Sequence, residues 1–242
     1  MVFASIILVA SGLWTPMHAQ ANSGVAPPRE SDTFAETENG RKIRIQRGEL
    51  PAANFQIAGV DLARDEDVLH QAARILGRIG TTATGDASTF EETACYRSAD
   101  RNDPTVLLFG KGEVDYSFRL TLNDAIRMQS TKCLRSPRIS RSSVTGSGLR
   151  LRDTPEQVLA LLGPPTRRLE NKVLQRMVLV YDFETTKKTR SRDLARFRRE
   201  NPGMSKYDIE KNFGSYSLEE SIRATFERGS LAELWVDWSA QY

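Results

Sequence analysis

Histidine, the side chain that most often acts as a catalytic acid or base, is scarce in this chain. Two of its 242 residues are histidines: His18 lies in an apolar N-terminal run, and His70 lies beside the apolar stripe of a predicted helix. A Ser-His-Asp or Cys-His site would need His70 as its base, and the sequence has no Gly-x-Ser-x-Gly nucleophile motif. Zinc sites need clusters of His and Cys, which the sequence does not contain. We therefore predict no catalytic and no metal-binding residues.

The sequence contains no motif that indicates a bound cofactor or a hydrolase site. Gly110-Lys111-Gly112 is too short for a phosphate-binding loop, and it precedes a predicted strand whereas phosphate loops precede helices. We therefore expect no cofactor. The 31 acidic residues leave a carboxylate-pair hydrolase open as an alternative, although no spacing singles out one pair.

The two cysteines, Cys95 and Cys133, are candidates for a disulfide, because an even pair in an exported chain usually forms one. The closed loop would hold about 37 residues, which the chain-entropy estimate values at about 3–4 kcal/mol. The alternative is two unrelated buried thiols.

Trp235 is the unusual residue of a hairpin predicted at the C-terminal end. A three-residue loop at Arg228-Gly229 places the apolar residues of both strands on one face. Those residues are Ile222, Ala224, Phe226, Ala232, Leu234, Val236 and Trp238. The opposite face then holds Arg223, Thr225, Glu233, Trp235 and Asp237. Because exposed aromatic residues often anchor interfaces, Trp235, Arg223 and Thr225 are candidate partner contacts. Alternatively, Trp235 lies under an inserted helix or stacks on Arg223.

A basic segment, residues 187–199, contains seven Lys or Arg in 13 positions. It lies in the C-terminal half, where residues 131–242 carry 21 basic and 14 acidic side chains. The candidate contacts to an anionic polymer or lipid head group are Lys187, Lys188, Arg190, Arg192, Arg196, Arg198 and Arg199. The alternative is a solvated helix face. Nucleic acid is not an expected partner, because the whole chain has a net charge of only +3.

The best-specified element is a helix within residues 148–165. Thr154 and Gln157 form a capping-box pair, and Pro155 suits the first helical position. Gly163 allows a left-handed cap, and the two prolines after it cannot continue the helix. A helix of about two turns is unstable alone, so it must pack on a neighbour. The next apolar run, Val173 to Phe183, predicts a strand.

Residues 59–77 follow the same plan, with Asp65 as the predicted cap and Gly77 at the end. The first unit continues with predicted strands Glu92–Arg97, Thr105–Phe109 and Val114–Leu122, and the second ends with predicted strands Tyr216–Phe226 and Leu231–Trp238. A further helix is predicted between Ser205 and Gly214. The sequence thus predicts an α+β fold of tandem helix-plus-antiparallel-sheet units, residues 51–147 and 148–242, with a helical insertion in the second.

The N-terminus has the pattern of a signal peptide. An apolar run of 13 residues, Val2 to Trp14, is too short to span a bilayer, and Ala19-Gln20-Ala21 suits signal peptidase. We predict a signal peptide over 1–21 and a flexible leader over 22–50, hence a periplasmic or secreted protein that is not integral to the membrane. A buried apolar arm is the alternative.

Two short motifs resemble a known family. Leu162-Gly163-Pro164-Pro165 and the hairpin sequence Phe226-Glu227-Arg228-Gly229-Ser230-Leu231-Ala232-Glu233 are similar to the SmpA/OmlA (BamE-like) domain and to the related β-lactamase inhibitor protein fold. The likeness covers 148–238, and 59–122 more weakly. The lipobox Cys of the lipoprotein members is absent, and the insertion at 184–214 is large. The resemblance implies a non-catalytic exported scaffold that presents a sheet face and loops to a protein partner in the cell envelope, as an assembly factor or an inhibitor.

Overall fold

In the computed structural model, the described residues are 33–38, 41–64, 67–78, 80–84, 91–122 and 133–241. The predicted signal peptide over 1–21 lies outside them. The described part contains four α-helices: α1 (Val68–Leu76), α2 (Pro155–Leu162), α3 (Ser191–Glu200) and α4 (Lys206–Phe213). None of the helices in this part is long and apolar enough to cross a membrane.

Thirteen strands accompany the helices in the described part. They are β1 (Thr33–Glu38), β2 (Arg41–Arg47), β3 (Gln56–Ile57), β4 (Val60–Asp61), β5 (Thr82–Thr84), β6 (Glu91–Ser98), β7 (Val106–Lys111), β8 (Asp115–Thr121), β9 (Leu134–Ser136), β10 (Arg167–Asn171), β11 (Arg176–Lys188), β12 (Ser215–Glu227) and β13 (Ser230–Gln241). Eleven of them form one sheet in the order β1-β2-β11-β12-β13-β8-β7-β6-β5, with β10 on β11 and β9 on β6.

The sheet is mixed, which differs from the purely antiparallel sheets that the sequence predicts. The pairs β2–β11 and β6–β9 are parallel, and the other pairs are antiparallel. The prediction of a mixed helix-and-sheet fold is confirmed. Each of α1 and α2 is followed along the chain by three long antiparallel strands, and pairing of β8 with β13 makes the two sets one sheet.

Helix α2 begins and ends as predicted. The Thr154 side chain accepts from the backbone N–H of Gln157, and the Gln157 side chain accepts from the backbone N–H of Thr154 at 2.7 Å. Gly163 follows the last turn with a φ of 79°, a left-handed conformation that glycine adopts without strain. Local capping chemistry therefore suffices to specify this helix.

Helix α1 begins two residues later than predicted. Its cap is Asp67, whose side chain accepts from the backbone N–H groups of Leu69 and His70. Asp65, the predicted cap, lies outside the described residues. The helix starts here because the Asp67 carboxylate reaches two of the N–H groups that have no partner inside the helix.

The two helices are tied to the sheet by the same contact. The Tyr96 hydroxyl on β6 donates to the carbonyl oxygen of Gly77, the residue after α1, at 3.0 Å. The Tyr181 hydroxyl on β11 donates to the carbonyl oxygen of Gly163, the residue after α2, at 3.1 Å. In both places a buried tyrosine satisfies an orphan carbonyl at a helix C-terminus.

One hydrophobic core joins both helices to one face of the sheet. Its helical members are Val68, Leu69, Ala72, Leu76, Val158 and Leu162. Its sheet members include Tyr96, Leu107, Phe109, Phe118, Leu120, Leu179, Tyr181, Ile222, Ala224, Leu234 and Val236. These sheet residues alternate along their strands, so the residues between them point to the opposite face.

The closing hairpin has the predicted pairing but a shorter turn. Ile222 pairs with Val236, as the three-residue loop requires. The turn itself has two residues, Arg228 (φ 51°) and Gly229 (φ 79°), both left-handed as in a type I′ turn. The predicted pairing and the shorter turn are compatible because the register shifts between Thr225 and Phe226. Such a bulge adds one residue to one strand.

Two segments differ from their predictions. The segment predicted as a flexible leader over 22–50 contains the β1–β2 hairpin, because β2 can pair with the free edge of β11 at Phe183 and Glu184. The strand predicted from Val173 begins instead at Arg176, because β11 pairs with β10 through a turn over residues 172–175. Val173 and Leu174 therefore occupy an exposed turn.

Candidate protein-binding face

The face of the sheet opposite α1 and α2 carries partly exposed polar side chains, and we call it the open face. Its residues lie in rows, because paired residues on neighbouring strands point to the same side. One row runs across β8, β13, β12, β11 and β10: Arg119, Trp235, Arg223, Val180 and Arg167. The next row on the same face is Ser117, Asp237, Ser221 and Asp182. A third row contains Asp115, Ser239, Glu219 and Glu184.

Trp235 lies between two guanidinium groups. The Arg119 and Arg223 guanidinium carbons are each 5.4 Å from the centroid of the indole ring. The alternative in which Trp235 stacks on Arg223 is therefore confirmed, and Arg119 makes a second such contact. Each cation–π contact contributes about 0.5–1 kcal/mol at an exposed site. Together they hold the ring at the surface, where it is partly exposed.

Asp237 fixes the orientation of that ring. The Trp235 Nε1–H donates to Oδ1 of Asp237 at 2.7 Å. Burial raises the pKa of Asp237 to about 6, with smaller opposing effects from Trp235 and Arg223. The negative charges of Asp115 and Glu91 raise it further. Burial is therefore the main reason that the pKa of Asp237 is raised.

Two ion pairs neutralise part of the open face. Arg119 Nη2 binds Glu233 Oε2 at 2.6 Å, and Arg167 Nη2 binds Asp182 Oδ2 at 2.6 Å. Because Arg119 pairs with Glu233, it holds Trp235 and Glu233 at once. Each pair therefore restrains an arginine side chain of the Trp235 row.

An acidic groove of about 470 Å³ begins beside this arginine row. Its charged lining consists of Asp115, Asp182, Glu184, Glu219, Glu220, Asp237 and Arg223. Glu220 is buried, accepts from the backbone N–H of Leu50 at 2.6 Å, and has a pKa raised by burial to about 7. Because Glu220 precedes the core residue Ile222 by two residues on β12, its side chain lies on the core side of the sheet. On the open face the groove therefore combines one arginine with five carboxyl groups. A positively charged group is the complementary ligand.

The three predicted contact residues have different accessibility. The structure brings Trp235 and Arg223 together at the surface, whereas Thr225 is only 5% exposed and offers a partner little area. Sequence reasoning missed Arg119 and Asp182, since both depend on strand pairings that were not predicted. The alternation of Phe118 and Leu120 along β8 is the signal that could have placed Arg119 on this face.

Most of the basic side chains of segment 187–199 form ion pairs with carboxylates of the same chain. Five of its seven candidate anion contacts bind carboxylates: Lys187 with Glu49, Arg190 and Arg192 with Asp193, Arg196 with Glu200, and Arg198 with Glu210. Lys188 and Arg199 have no ion pair within the described part of the chain. The segment comprises the end of β11, the connection that follows and most of α3. The ring of Phe197 on α3 stacks on that of Phe213 on α4, with the ring centroids 4.6 Å apart. Anion binding by the segment stays a prediction.

The cysteines lie at disulfide distance, with Cα atoms 4.5 Å apart. Cys95 is on β6 and Cys133 immediately precedes β9, which pairs with β6 in parallel. The bond therefore fastens Cys133 and the start of β9 to β6.

Catalytic and metal-binding arrangements are not evident in the described residues. His70 lies on the exposed side of α1, and no group of three or more His, Cys, Asp or Glu in this part could hold a metal ion. No protein family, curated protein or solved structure matches the chain.

Proposed function

We propose that this chain is an exported protein that binds another protein through the open face of its sheet. The observation that carries the proposal is the arrangement of Trp235, which is held at the surface by two arginines and oriented by Asp237. A rigid, partly exposed tryptophan provides a large contact area and loses little conformational freedom when it binds. Such residues are typical anchors of protein interfaces.

The charges around the anchor define the partner further. The acidic groove beside Trp235 favours a segment of the partner that carries Lys or Arg. The fixed arginine row, with Arg119 and Arg167 already paired, leaves Arg223 to face an acidic or carbonyl group. A partner loop with an apolar contact for Trp235, basic residues on the side of the groove and an acidic or carbonyl group for Arg223 would match both features.

The fold supports the likeness to the β-lactamase inhibitor protein as a further part of the proposal. The Tyr96–Gly77 and Tyr181–Gly163 contacts occupy the same place in two successive helix-and-sheet arrangements, as expected of tandem related units. The Cys95–Cys133 pair supports an oxidising compartment, where disulfides persist. We propose the periplasm or the extracellular space as that compartment, with the signal peptide directing export.

Affinity capture from the envelope fraction of the native cells tests the proposal. The wild-type chain is expected to retain a discrete protein that Trp235→Ala retains at least about tenfold less, because interface anchors contribute about 2 kcal/mol or more. The matched control is Tyr207→Ala, which removes another aromatic residue, 72% exposed on α4 and absent from the lining of the acidic groove. Equal retention by the wild type and Trp235→Ala would contradict the proposal.

A further inference from the structure

A second concave site lies at the hairpin end of the sheet, apart from the acidic groove. It has a volume of about 860 Å³. Its charged lining comprises Arg152, Arg176, Arg228, Glu227 and Glu233, and its apolar lining includes Leu122, Leu174 and Leu231. We call it the arginine pocket. It contains none of the seven basic residues that the sequence suggested for anion binding.

The three arginines come from three separate segments that the backbone holds together. The Arg152 N–H donates to the carbonyl oxygen of Leu231 at 2.8 Å, and the Leu231 N–H donates to that of Asp153 at 2.8 Å. The Arg228 N–H donates to the carbonyl oxygen of Gln175 at 3.0 Å. This bond joins the turn between β12 and β13 to the turn between β10 and β11. The backbone positions of Arg152 and Arg228 at the rim of the pocket are therefore fixed by the fold.

Two of these arginines have an unusual backbone. Arg152 has a φ of 73° and Arg228 a φ of 51°, in the left-handed region that non-glycine residues seldom adopt. Arg228 lies in the tight turn before Gly229, so the turn explains its conformation. Arg152 belongs to the short connection before α2, where glycine or asparagine would be the less strained choice.

The charges of the pocket are unbalanced. Within the described residues, the side chains of Arg152, Arg176 and Arg228 form no ion pair. Of the two carboxylates in the lining, Glu233 is already bound by Arg119 at 2.6 Å. Three guanidinium groups therefore face a single available carboxylate, that of Glu227. This contrasts with segment 187–199, where most of the basic side chains are paired.

An exposed aliphatic pair flanks the arginines. Val173 is 93% exposed and Leu174 is 65% exposed, although the chain has ample core positions for such residues. Leu174 lines the arginine pocket directly, and Val173 precedes it in the same turn. Planar guanidinium groups match phosphate oxygens in pairs, and aliphatic side chains beside them match a hydrocarbon chain.

We propose that the arginine pocket binds the phosphate group of an alkyl phosphate, with Leu174 and Val173 against the alkyl chain. The ligand class includes soluble phosphate monoesters and the head groups of phosphate-bearing lipids. The pocket lies at the hairpin end of the open face, with Thr225 and Glu233 in its lining, but it includes neither Trp235 nor the acidic groove. Titration with a small ligand needs no protein partner, so the site can be tested whatever the outcome of partner capture.

Calorimetric titration with decyl phosphate, below the concentration at which it forms micelles, tests the proposal. Because a charge-assisted hydrogen bond contributes about 1.5–3 kcal/mol, Arg176→Gln is expected to weaken binding about tenfold or more. The triple variant Arg152→Gln, Arg176→Gln, Arg228→Gln is expected to weaken it at least about a hundredfold. Leu174→Ser, which is neutral, should weaken binding of decyl phosphate but leave that of inorganic phosphate unchanged.

The matched control removes three exposed positive charges elsewhere. The triple variant Lys188→Gln, Arg199→Gln, Lys211→Gln should bind decyl phosphate as the wild type does. No binding by the wild type, or equal affinity in the two triple variants, would overturn the proposal. Arg176 is an exposed residue of the regular strand β11, so Arg176→Gln is expected to fold. This single variant therefore tests the pocket even if the triple arginine variant does not fold.

A flotation arm distinguishes the two sources of the ligand. Vesicles of phosphatidylcholine with phosphatidic acid are compared with vesicles of phosphatidylcholine alone. Selective flotation with phosphatidic acid, lost in Arg176→Gln, supports the site and identifies a lipid head group. Decyl phosphate binding without flotation supports the site and identifies a soluble phosphate ester.

Discussion

The indole N–H of Trp235 donates a 2.7 Å hydrogen bond to the carboxylate of Asp237, two residues further along β13. Both side chains lie on the open face, because residues two apart in a strand point to the same side. The bond fixes the ring in one orientation while Arg119 and Arg223 flank it. Trp235 is thus ordered before any partner arrives, which reduces the entropy lost on binding.

Replacing Asp237 by Asn should stabilise the protein at neutral pH. The pKa of Asp237 is raised from 3.8 to about 6, so between these values the unfolded chain loses the proton first. Wild-type stability should fall relative to Asp237→Asn as pH rises from about 4 to 6 and then stay level. One pKa unit corresponds to about 1.4 kcal/mol, so the deficit at pH 7 is at most about 3 kcal/mol. Urea unfolding at a series of pH values measures it.

The asparagine variant isolates the charge, because its amide oxygen can still accept from Trp235. Asp182→Asn is the control, since it removes a carboxylate that Arg167 binds and should destabilise the protein instead. A stability difference between wild type and Asp237→Asn that does not change with pH would contradict the account.

Tyr96→Phe and Tyr181→Phe should cost similar amounts of stability. Each change removes one hydroxyl that donates to the carbonyl oxygen of a helix-terminal glycine, a loss of about 1 kcal/mol. The double variant should lose the sum, because the two sites share no partner. Chemical denaturation of the three variants measures this. A negligible effect of either single variant would show that the two contacts are not equivalent supports.

Removing the disulfide should lower the free energy of unfolding by about 3–4 kcal/mol, since Cys95 and Cys133 close a loop with a sequence separation of 38. The double variant Cys95→Ala, Cys133→Ala and the reduced wild type should unfold at the same, lower urea concentration. If reduction leaves the midpoint unchanged, the bond does not constrain the unfolded chain as expected.

Local patterns in the sequence were enough to predict much of the secondary structure. The cap at Thr154, the glycine after α2 and the alternation along β12 and β13 each depend on a few neighbouring residues. They predicted the two core helices and the face on which Trp235 lies. Within these elements, the start of α1 and the length of the closing turn differed from the prediction.

Long-range pairing lay beyond such patterns. The union of β8 with β13 places Arg119 against Trp235, and these strands are separated by over a hundred residues. Likewise, the apolar pair Val173-Leu174 reads as the start of a strand, because periodicity does not reveal where β10 will pair. The arginine pocket was missed for the same reason, since its three arginines come together only in the folded chain.

Site-specific photo-crosslinking tests the central claim, binding of a protein through the open face, most directly. A benzophenone amino acid is placed at Ser221, between Asp237 and Asp182 on that face, or at the exposed Ala160 of α2 on the opposite side. Irradiation in native cells should give a discrete protein adduct from position 221 and none from position 160. The adduct should disappear when Trp235→Ala is added. No adduct from position 221, or equal adducts from both positions, would contradict binding through this face.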